Sequence, residues 1–294
     1  VDAYAVYTNN VPSGAFRGFG APQAQFASEI MVTRLAHALG IDPIELRRKN
    51  LYREGDIEAT QRPLPPGVSV RECMEAAVNE WDKQRTAQDV PASPVRMPPH
   101  LKRGIGLACG IKNVGYSFGY PEQATATVEL YGEQAIERAT VRVGAADVGQ
   151  GAHLAMRQIA AATLGLAPEQ LTLITDDSSQ APNAGSASAS RLTLMAGRAV
   201  HEAAKAAFQQ WHDEERPAIA TVQFRPPATT ALDPVTGEGA PNYCYGYVAQ
   251  AVEVEVNTLT GQVQVLKIIS AHDVGRAINR QQVEGQIEGC LAQA

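Results

Sequence analysis

The sequence is poor in the features that most often announce a chemistry. Aromatic residues make up only 6% of its 294 positions, and its four cysteines, Cys73, Cys109, Cys244 and Cys290, lie far apart with no Cys-x-x-Cys pair. That spacing excludes a ribbon-type zinc site and a local iron–sulfur cluster, and buried thiols in a reducing cytosol are the expectation. The six histidines are scattered without ligand spacing. No metal ligand is therefore expected directly from the protein, and any metal has to arrive inside a cofactor. A cationic excess is lacking as well: 25 Lys+Arg against 31 Asp+Glu leave a net charge of −6. This argues against nucleic acid as a partner, because phosphate binding needs clustered Lys and Arg. No apolar run approaches the roughly 18 residues of a membrane-spanning helix. No secretory leader is visible, and the cytoplasm is the expected location. The opening Val1-Asp2-Ala3 is what a fragment, or an internally processed chain, would show.

What is present is an apolar share of 45%, ample for packed cores. The pattern predicts a short strand over 3–8, a helix over about 22–39 with an apolar stripe of Phe26, Ile30, Met31 and Leu35, and a second helix capped by Asp42. Ser69-Val70-Arg71-Glu72 reads as a capping box before a helix through Trp81. Gly104 to Gly110 reads as a buried strand, 124–131 and 136–143 as a hairpin joined at Gly132, 152–164 as a helix, and 171–175 as a strand. A long helix is expected from Leu192 to His212, and a hairpin around the Thr258–Gly261 turn. The fold class is α+β: two-layer modules of mixed or antiparallel sheet with helices. Residues 84–103 are polar and proline-rich and serve as the expected connector between a first domain ending at 83 and a second over 104–294.

Four small-residue loops carry the candidate chemistry. Phe16-Arg17-Gly18-Phe19-Gly20-Ala21-Pro22 could aim backbone N–H groups and a guanidinium at an anion, but lacks the third glycine of a dinucleotide fingerprint. Gly149-Gln150-Gly151 offers an amide where a ligand can approach the backbone closely. The run from Asn183 through Ala189, Ser190 and Arg191 is a second anion cradle before a helix. Gly285-Gln286-Ile287-Glu288-Gly289 repeats the theme of glycine, glutamine and helix start. Taken alone, each loop reads first as a turn, and His153 as an ordinary satisfied side chain. Together they describe a protein that wraps a polar, phosphate-bearing cofactor.

The arginine loop with Tyr4-Ala5-Val6-Tyr7-Thr8-Asn9-Asn10 before it resembles the molybdopterin-binding subunit of the xanthine dehydrogenase and aldehyde oxidase family. Val148-Gly149-Gln150-Gly151, Ser188-Ala189-Ser190-Arg191, Asp273-Val274-Gly275-Arg276-Ala277-Ile278-Asn279 and Gly285-Gln286-Ile287-Glu288-Gly289 match that family in the same order. The resemblance implies α+β modules around a molybdenum–molybdopterin cofactor, in bacterial members often its cytosine dinucleotide form. It puts Arg17 and Gly18 at the cofactor, Phe19 against the substrate ring, and Phe118 as a second aromatic clamp. Gly149, Gln150 and Gly151 would lie near the metal, Ala189, Ser190 and Arg191 on the pterin or its phosphate, and Gln286 in a further cofactor-contacting loop.

The implied activity is hydroxylation of an electron-poor carbon of a purine-like N-heterocycle, with water as the oxygen source. Electrons would leave through an iron–sulfur subunit and an FAD subunit on partner chains. Gly119, where purine-oxidising members tend to carry a hydroxyl residue, weakens the case for xanthine itself. An aldehyde-oxidising or acyl-CoA-reducing relative, and a cofactor-binding scaffold inactive without other chains, stay open. The carbon monoxide subclass would need a cysteine in the arginine loop, and all four cysteines are elsewhere. The catalytic glutamate of the family is expected beyond Ala294, and missing portions of the molybdenum subunit are expected as partners. Within the chain, Glu129 and Glu137 read as solvent-facing, and Glu288 as a helix-entry residue.

Overall fold

The computed structural model describes residues 4, 6–12, 14, 18–88, 98–115, 122–188 and 190–293. In chain order the elements are α1 (Ala21–Leu39), α2 (Pro43–Asn50), α3 (Val70–Gln88), β1 (Leu101–Val114), β2 (Ala124–Tyr131), β3 (Arg138–Arg142) and α4 (Ala152–Leu164). There follow β4 (Leu171–Ile174), α5 (Arg191–His212), β5 (Ala218–Phe224), β6 (Cys244–Asn257), β7 (Val263–Asp273) and α6 (Arg280–Gln293). They make two compact units. The first holds Val1–Arg53, Ser69–Lys112 and Tyr247–Asp273; the second holds Glu54–Val68, Asn113–Gly246 and Val274–Ala294. The described residues of the 84–103 stretch fall in the first unit, and α3 runs past Trp81 to Gln88, where Lys83, Gln84, Arg85, Ala87 and Gln88 are good helix formers.

The first unit carries a three-stranded sheet in the order β1-β6-β7. Its two long helices, α1 and α3, have different anchors. α1 ends at Gly40, whose left-handed backbone lets its N–H bond back to Ala36 and His37. α2 is capped by Asp42, whose Oδ1 accepts from the N–H groups of Ile44 and Glu45 at 2.8 and 3.1 Å. The expected stripe on α1 is real as a pattern, but Phe26, Met31 and Leu35 are exposed. The polar face is the one engaged. Arg47, buried on α2, meets Glu29 at 2.8 Å and donates to Thr33 Oγ1 at 3.0 Å, while Glu29 also accepts the N–H of Cys109 on β1 at 3.0 Å. Ser69, expected to cap α3, donates its hydroxyl to Asp273 at the end of β7.

The second unit is a four-stranded mixed sheet, β4-β3-β2-β5, with α4 and α5 packed together against it. β3 pairs β4 in parallel; β2 pairs both β3 and β5 antiparallel. Ala124, Ala126, Val128 and Leu130 alternate along β2 and are fully buried. They meet the small residues of α5, where Ala196, Ala199, Ala203, Ala204 and Ala207 are also fully buried. Small side chains let the helix lie close to the sheet. At Gly197 even a Cβ would come within 2.8 Å of Ile159 on α4. Met156, Met195, Val141 and Leu130 fill the remaining core, each contributing about 1.5–3 kcal/mol of burial.

Helices α1, α2 and α4 and both hairpins form where the sequence predicts them, and α5 starts one residue early, at Arg191. Three expectations fail. The described residues of 3–8 form no strand, and Tyr4, Val6 and Tyr7 are exposed. Aromatic and β-branched composition makes a strand only where a neighbour supplies a ladder and a face. β1 is not a buried strand through Gly104–Gly110, since 102–106 are exposed and burial begins at Cys109. Nor are all four thiols buried: Cys73 and Cys109 are, but Cys244 is half-buried and Cys290 is exposed on α6.

The β2–β3 turn depends on Gly132, whose φ is 147° and whose added Cβ would lie 2.0 Å from the Ala135 carbonyl oxygen. That neighbour is backbone and cannot swing away. Gly132→Ala is expected to destabilise the protein by about 1–3 kcal/mol, read as a lower urea midpoint at unchanged slope.

Candidate cofactor-binding site

In the second unit several segments converge at the end of the sheet where β3 and β4 stop and β2 begins. Gly144 forms a parallel bridge with Asn183, and its N–H donates to Pro182 O at 2.8 Å. Thr125 N–H donates to Asn183 O at 3.0 Å. The segments that lead into the glutamine loop and into the serine loop therefore run side by side at Gly144 and Asn183.

The glutamine loop is closed by its own side chains. Asp147 Oδ1 accepts from Gly149 N at 2.8 Å and Gly151 N at 3.2 Å, and Oδ2 accepts from His153 N at 3.1 Å. Partial burial pulls the Asp147 carboxyl upward, but the three donors of His153, Gly149 and Gly151 outweigh it and hold it below its ordinary value. Gln150 folds back: Oε1 accepts Val148 N–H at 2.6 Å and Nε2 donates to Ala146 O at 3.0 Å. His153 Nε2 donates to Ala145 O at 2.7 Å, the satisfied histidine the sequence suggests. Gly149 and Gly151 take left-handed backbone, and Gly151 packs so closely on Gln282 that a Cβ would sit 2.1 Å from Nε2. Sequence reading missed Asp147. An acidic residue two positions before a glycine is the signal of an Asx turn.

The serine loop is organised from beneath. Arg191, 5% exposed, donates from Nη1 to Ala184 O and Ser186 O, both at 3.0 Å, and from Nη2 to Gln123 O at 3.1 Å. Its Nε lies 3.4 Å from Glu122 Oε1, and Glu122 Oε2 accepts the hydroxyl of Tyr243. Burial, and then this bond to Glu122, push the Tyr243 hydroxyl well above its ordinary value. Ser190 begins α5 without a side-chain cap bond and is exposed. Glu122 and Tyr243 carry no motif, and the sequence alone does not single them out.

Gln286 stands otherwise than expected. Gly285-Gln286-Ile287-Glu288-Gly289 is no loop: it lies inside α6, with Gln286 and Glu288 exposed. Asn279 makes the helix start, accepting Gln282 N–H at 3.0 Å on its side chain and Val283 N–H at 3.1 Å on its carbonyl. Asn279 Nδ2 also reaches Gln158 Oε1 on α4 at 3.4 Å. Glu129 is not solvent-facing either. It pairs with Arg142 at 2.7 Å and accepts the Tyr131 hydroxyl. Among the described residues, no three of His, Cys, Asp and Glu group as a metal site.

The arginine loop belongs to the first unit. Arg17, like Phe118, Gly119 and Ala189, lies outside the described residues. Gly18, Phe19 and Gly20 have φ of 88°, 52° and 88°, three left-handed residues in succession before α1. Gly18 needs this, since a Cβ would meet Pro22 Cδ at 2.6 Å. Phe19 is a bulky residue in a strained conformation, and it is 56% exposed.

Residues 74–214 and 205–294 match the molybdopterin cofactor-binding domain family, and residues 1–51 match a companion family of the same description. The chain belongs to the molybdopterin cofactor-binding family. It is 34% identical to the aldehyde oxidoreductase of Megalodesulfovibrio gigas, over 98% of this chain and 32% of that protein. It is 30% identical to a probable xanthine dehydrogenase subunit of Bacillus subtilis (strain 168), over 100% of this chain and 42% of that one. The solved aldehyde oxidoreductase from Desulfovibrio gigas superimposes with a TM-score of 0.81 at 31% identity, covering 95% of this chain and 31% of that one. The chain thus spans about a third of one relative and two fifths of the other. Its mixed α+β fold is that of these neighbours. No described helix is long and apolar enough to cross a membrane.

Two outcomes follow. A carboxyl whose folded pKa is depressed contributes stability that is present above its unfolded value, about 4, and is lost as pH falls through the folded value. Asp147→Asn is expected to remove that part of the acid limb of the stability–pH curve, measured by urea unfolding between pH 2 and pH 6. Gly285, mid-helix with nothing within 4 Å of an added Cβ, reports on α6. Gly285→Ala is expected to raise stability by about 0.5–1 kcal/mol, whereas a glycine required by a loop would make it fall.

Proposed function

We propose that this chain is the cofactor-binding part of a molybdenum-dependent hydroxylase acting on a flat, electron-poor N-heterocycle. The observation that carries the substrate class is Phe19: an aromatic ring on a strained, glycine-bracketed loop, with more than half its surface unburied. Strain of about 1–3 kcal/mol is kept where the held-out ring has a use. When bound, a molybdenum–pterin cofactor supplies the two-electron oxidation, and the protein supplies binding and orientation.

The donor set of the second unit suits such a group. The serine loop turns the Ala184 and Ser186 carbonyl oxygens inward to Arg191 and exposes Ser186, Ala187 and Ser190, so hydrogen-bond donors face outward beside the glutamine loop. Gln150, whose amide closes its own loop, would exchange the Ala146 carbonyl for an acceptor on the pterin. Gly149 and Gly151 keep side chains out of the way. Arg17, Gly18, Ala189, Ser190 and Gln286 are proposed as further parts of the cofactor surface, with Arg191 behind it, and Phe118 as the second face of the substrate clamp. Glu122 and Asp147 are spent on internal partners, so the proton-abstracting carboxylate is proposed to lie outside the described residues. The cytosine dinucleotide form, an iron–sulfur subunit and an FAD subunit complete the proposal, with residues 1–83 and 104–294 contributing to two successive cofactor-binding domains.

Similarity to proteins named aldehyde oxidoreductase supports a second reading, oxidation of an aldehyde. Phe19 separates the two. Stacking on a ring contributes on the order of 1 kcal/mol beyond area burial. Phe19→Ala in the complete enzyme is expected to lower kcat/KM for a heteroaromatic substrate about fivefold or more and to leave a small aliphatic aldehyde nearly unchanged. Equal losses on both would favour the aldehyde reading.

A further inference from the structure

We propose that Arg191 serves the cofactor site as a positioning residue, held by Glu122 and Tyr243, and does not itself touch the cofactor. The inference rests on the cofactor-binding reading above and concerns how that site is built. An arginine in a small-residue loop is the natural candidate for a phosphate ligand. The geometry of this one points the other way. The residue is 5% exposed, and its donors go to three backbone carbonyls, of Gln123, Ala184 and Ser186. Its charge faces Glu122 at 3.4 Å, and the second oxygen of Glu122 is fixed by the Tyr243 hydroxyl. With three N–H groups on carbonyls, Nε against Glu122 and the residue 5% exposed, the guanidinium turns inward and presents no exposed fork to an oxyanion.

Its effect reaches the loop through the peptide planes. In a trans peptide, the C=O and the following N–H point in opposite directions. Drawing the Ser186 carbonyl in toward the guanidinium therefore turns the Ala187 N–H out. The carbonyl oxygens at 184 and 186, which would repel an anion, are buried against a positive charge. Glu122 makes this arrangement possible. Without it, the guanidinium would be a buried charge with only neutral partners, an unstable state that releasing it from the loop would relieve.

The two roles predict opposite signs for one substitution. If Arg191 bound the cofactor directly, Glu122 would compete for it, and Glu122→Gln would slow cofactor loss. If Arg191 is the brace, Glu122→Gln loosens the loop and speeds it. The measurement is the rate of molybdopterin release from the holoenzyme, followed by pterin fluorescence well below the unfolding temperature. Amide hydrogen exchange over 184–190 is followed alongside. Glu122→Gln is expected to raise the release rate about tenfold and to raise exchange in that segment while β2 and β3 stay protected. Tyr243→Phe should move both in the same direction by less, and Arg191→Lys should not restore retention, because an ammonium cannot span three carbonyls. A lowered melting temperature with release unchanged below it would make the cluster a fold element only and overturn the proposal. Slower release in Glu122→Gln overturns it in favour of direct contact. Wild-type holoenzyme carrying no molybdopterin would overturn the cofactor reading and this inference together; a loaded wild type with an unresponsive Glu122→Gln overturns this inference alone.

Discussion

A single buried guanidinium ties together the parts of the second unit that matter most. Arg191 is the first residue of α5, and its partners come from the segment entering β2 and from the serine loop, while its ion-pair partner Glu122 carries the link on to the strand-entry residue Tyr243. Neutral hydrogen bonds could join these pieces, but a charge-assisted set in a low-dielectric interior fixes them more firmly. The arrangement also carries risk, because a buried charge that loses its partner is costly. The first unit uses the same device. Arg47, 2% exposed, joins α2 to α1 through Glu29 and Thr33, and Glu29 in turn holds the backbone of β1. In each unit, a buried arginine–glutamate pair links a helix to another element.

The glutamine loop follows a different logic. Helix N-termini attract anions because their N–H groups lack partners. Here the anion is already present as Asp147, which takes the N–H groups of Gly149, Gly151 and His153. The start of α4 is thereby neutralised from within, and the loop is shaped before any ligand arrives. On the proposed reading, what it would offer a ligand is the amide of Gln150, a neutral group that can exchange one acceptor for another. Two neighbouring loops thus solve one problem in complementary ways: one has its carbonyls pulled inward by a cation, the other has its N–H groups gathered by a carboxylate.

Much of the fold is legible in the sequence because it rests on local rules. Period-two alternation along 124–131 and 252–265 marks the hairpins, and Gly151 and Gly165 bracket α4. The strand order β4-β3-β2-β5 is not legible, since pairing between distant segments leaves no local trace. α6 departs from the expected loop for a specific reason. Gly285 and Gly289 suggest a loop, yet residues four apart share a helix face, and the asparagine cap at 279 outweighs two tolerated glycines. The apolar stripe of α1 identifies the helix, but not which face the unit covers: the contacts run through Glu29 and Thr33 on the polar side. Of the site, the motif residues are visible in the sequence and their supports are not. Asp147, Glu122 and Tyr243 stand outside the motifs, and their roles arise only from what folding brings near them.

That division between motif and support bears on Phe19. Its flanking glycines can adopt φ near 88° at no steric cost, whereas a phenylalanine at φ 52° cannot. Propensity alone would put a third glycine there, and the loop would form more easily. Keeping an exposed aromatic instead means that local stability is given up for a ring held in a fixed place. The glycines on either side supply the turn, and the Gly18–Pro22 contact closes it against the start of α1. On the proposed reading, a ring on such a mount would lose little freedom when a flat substrate stacks on it. The strain is met during folding rather than at binding, and under the proposed function that is how the loop would favour a planar ligand with few contacts of its own.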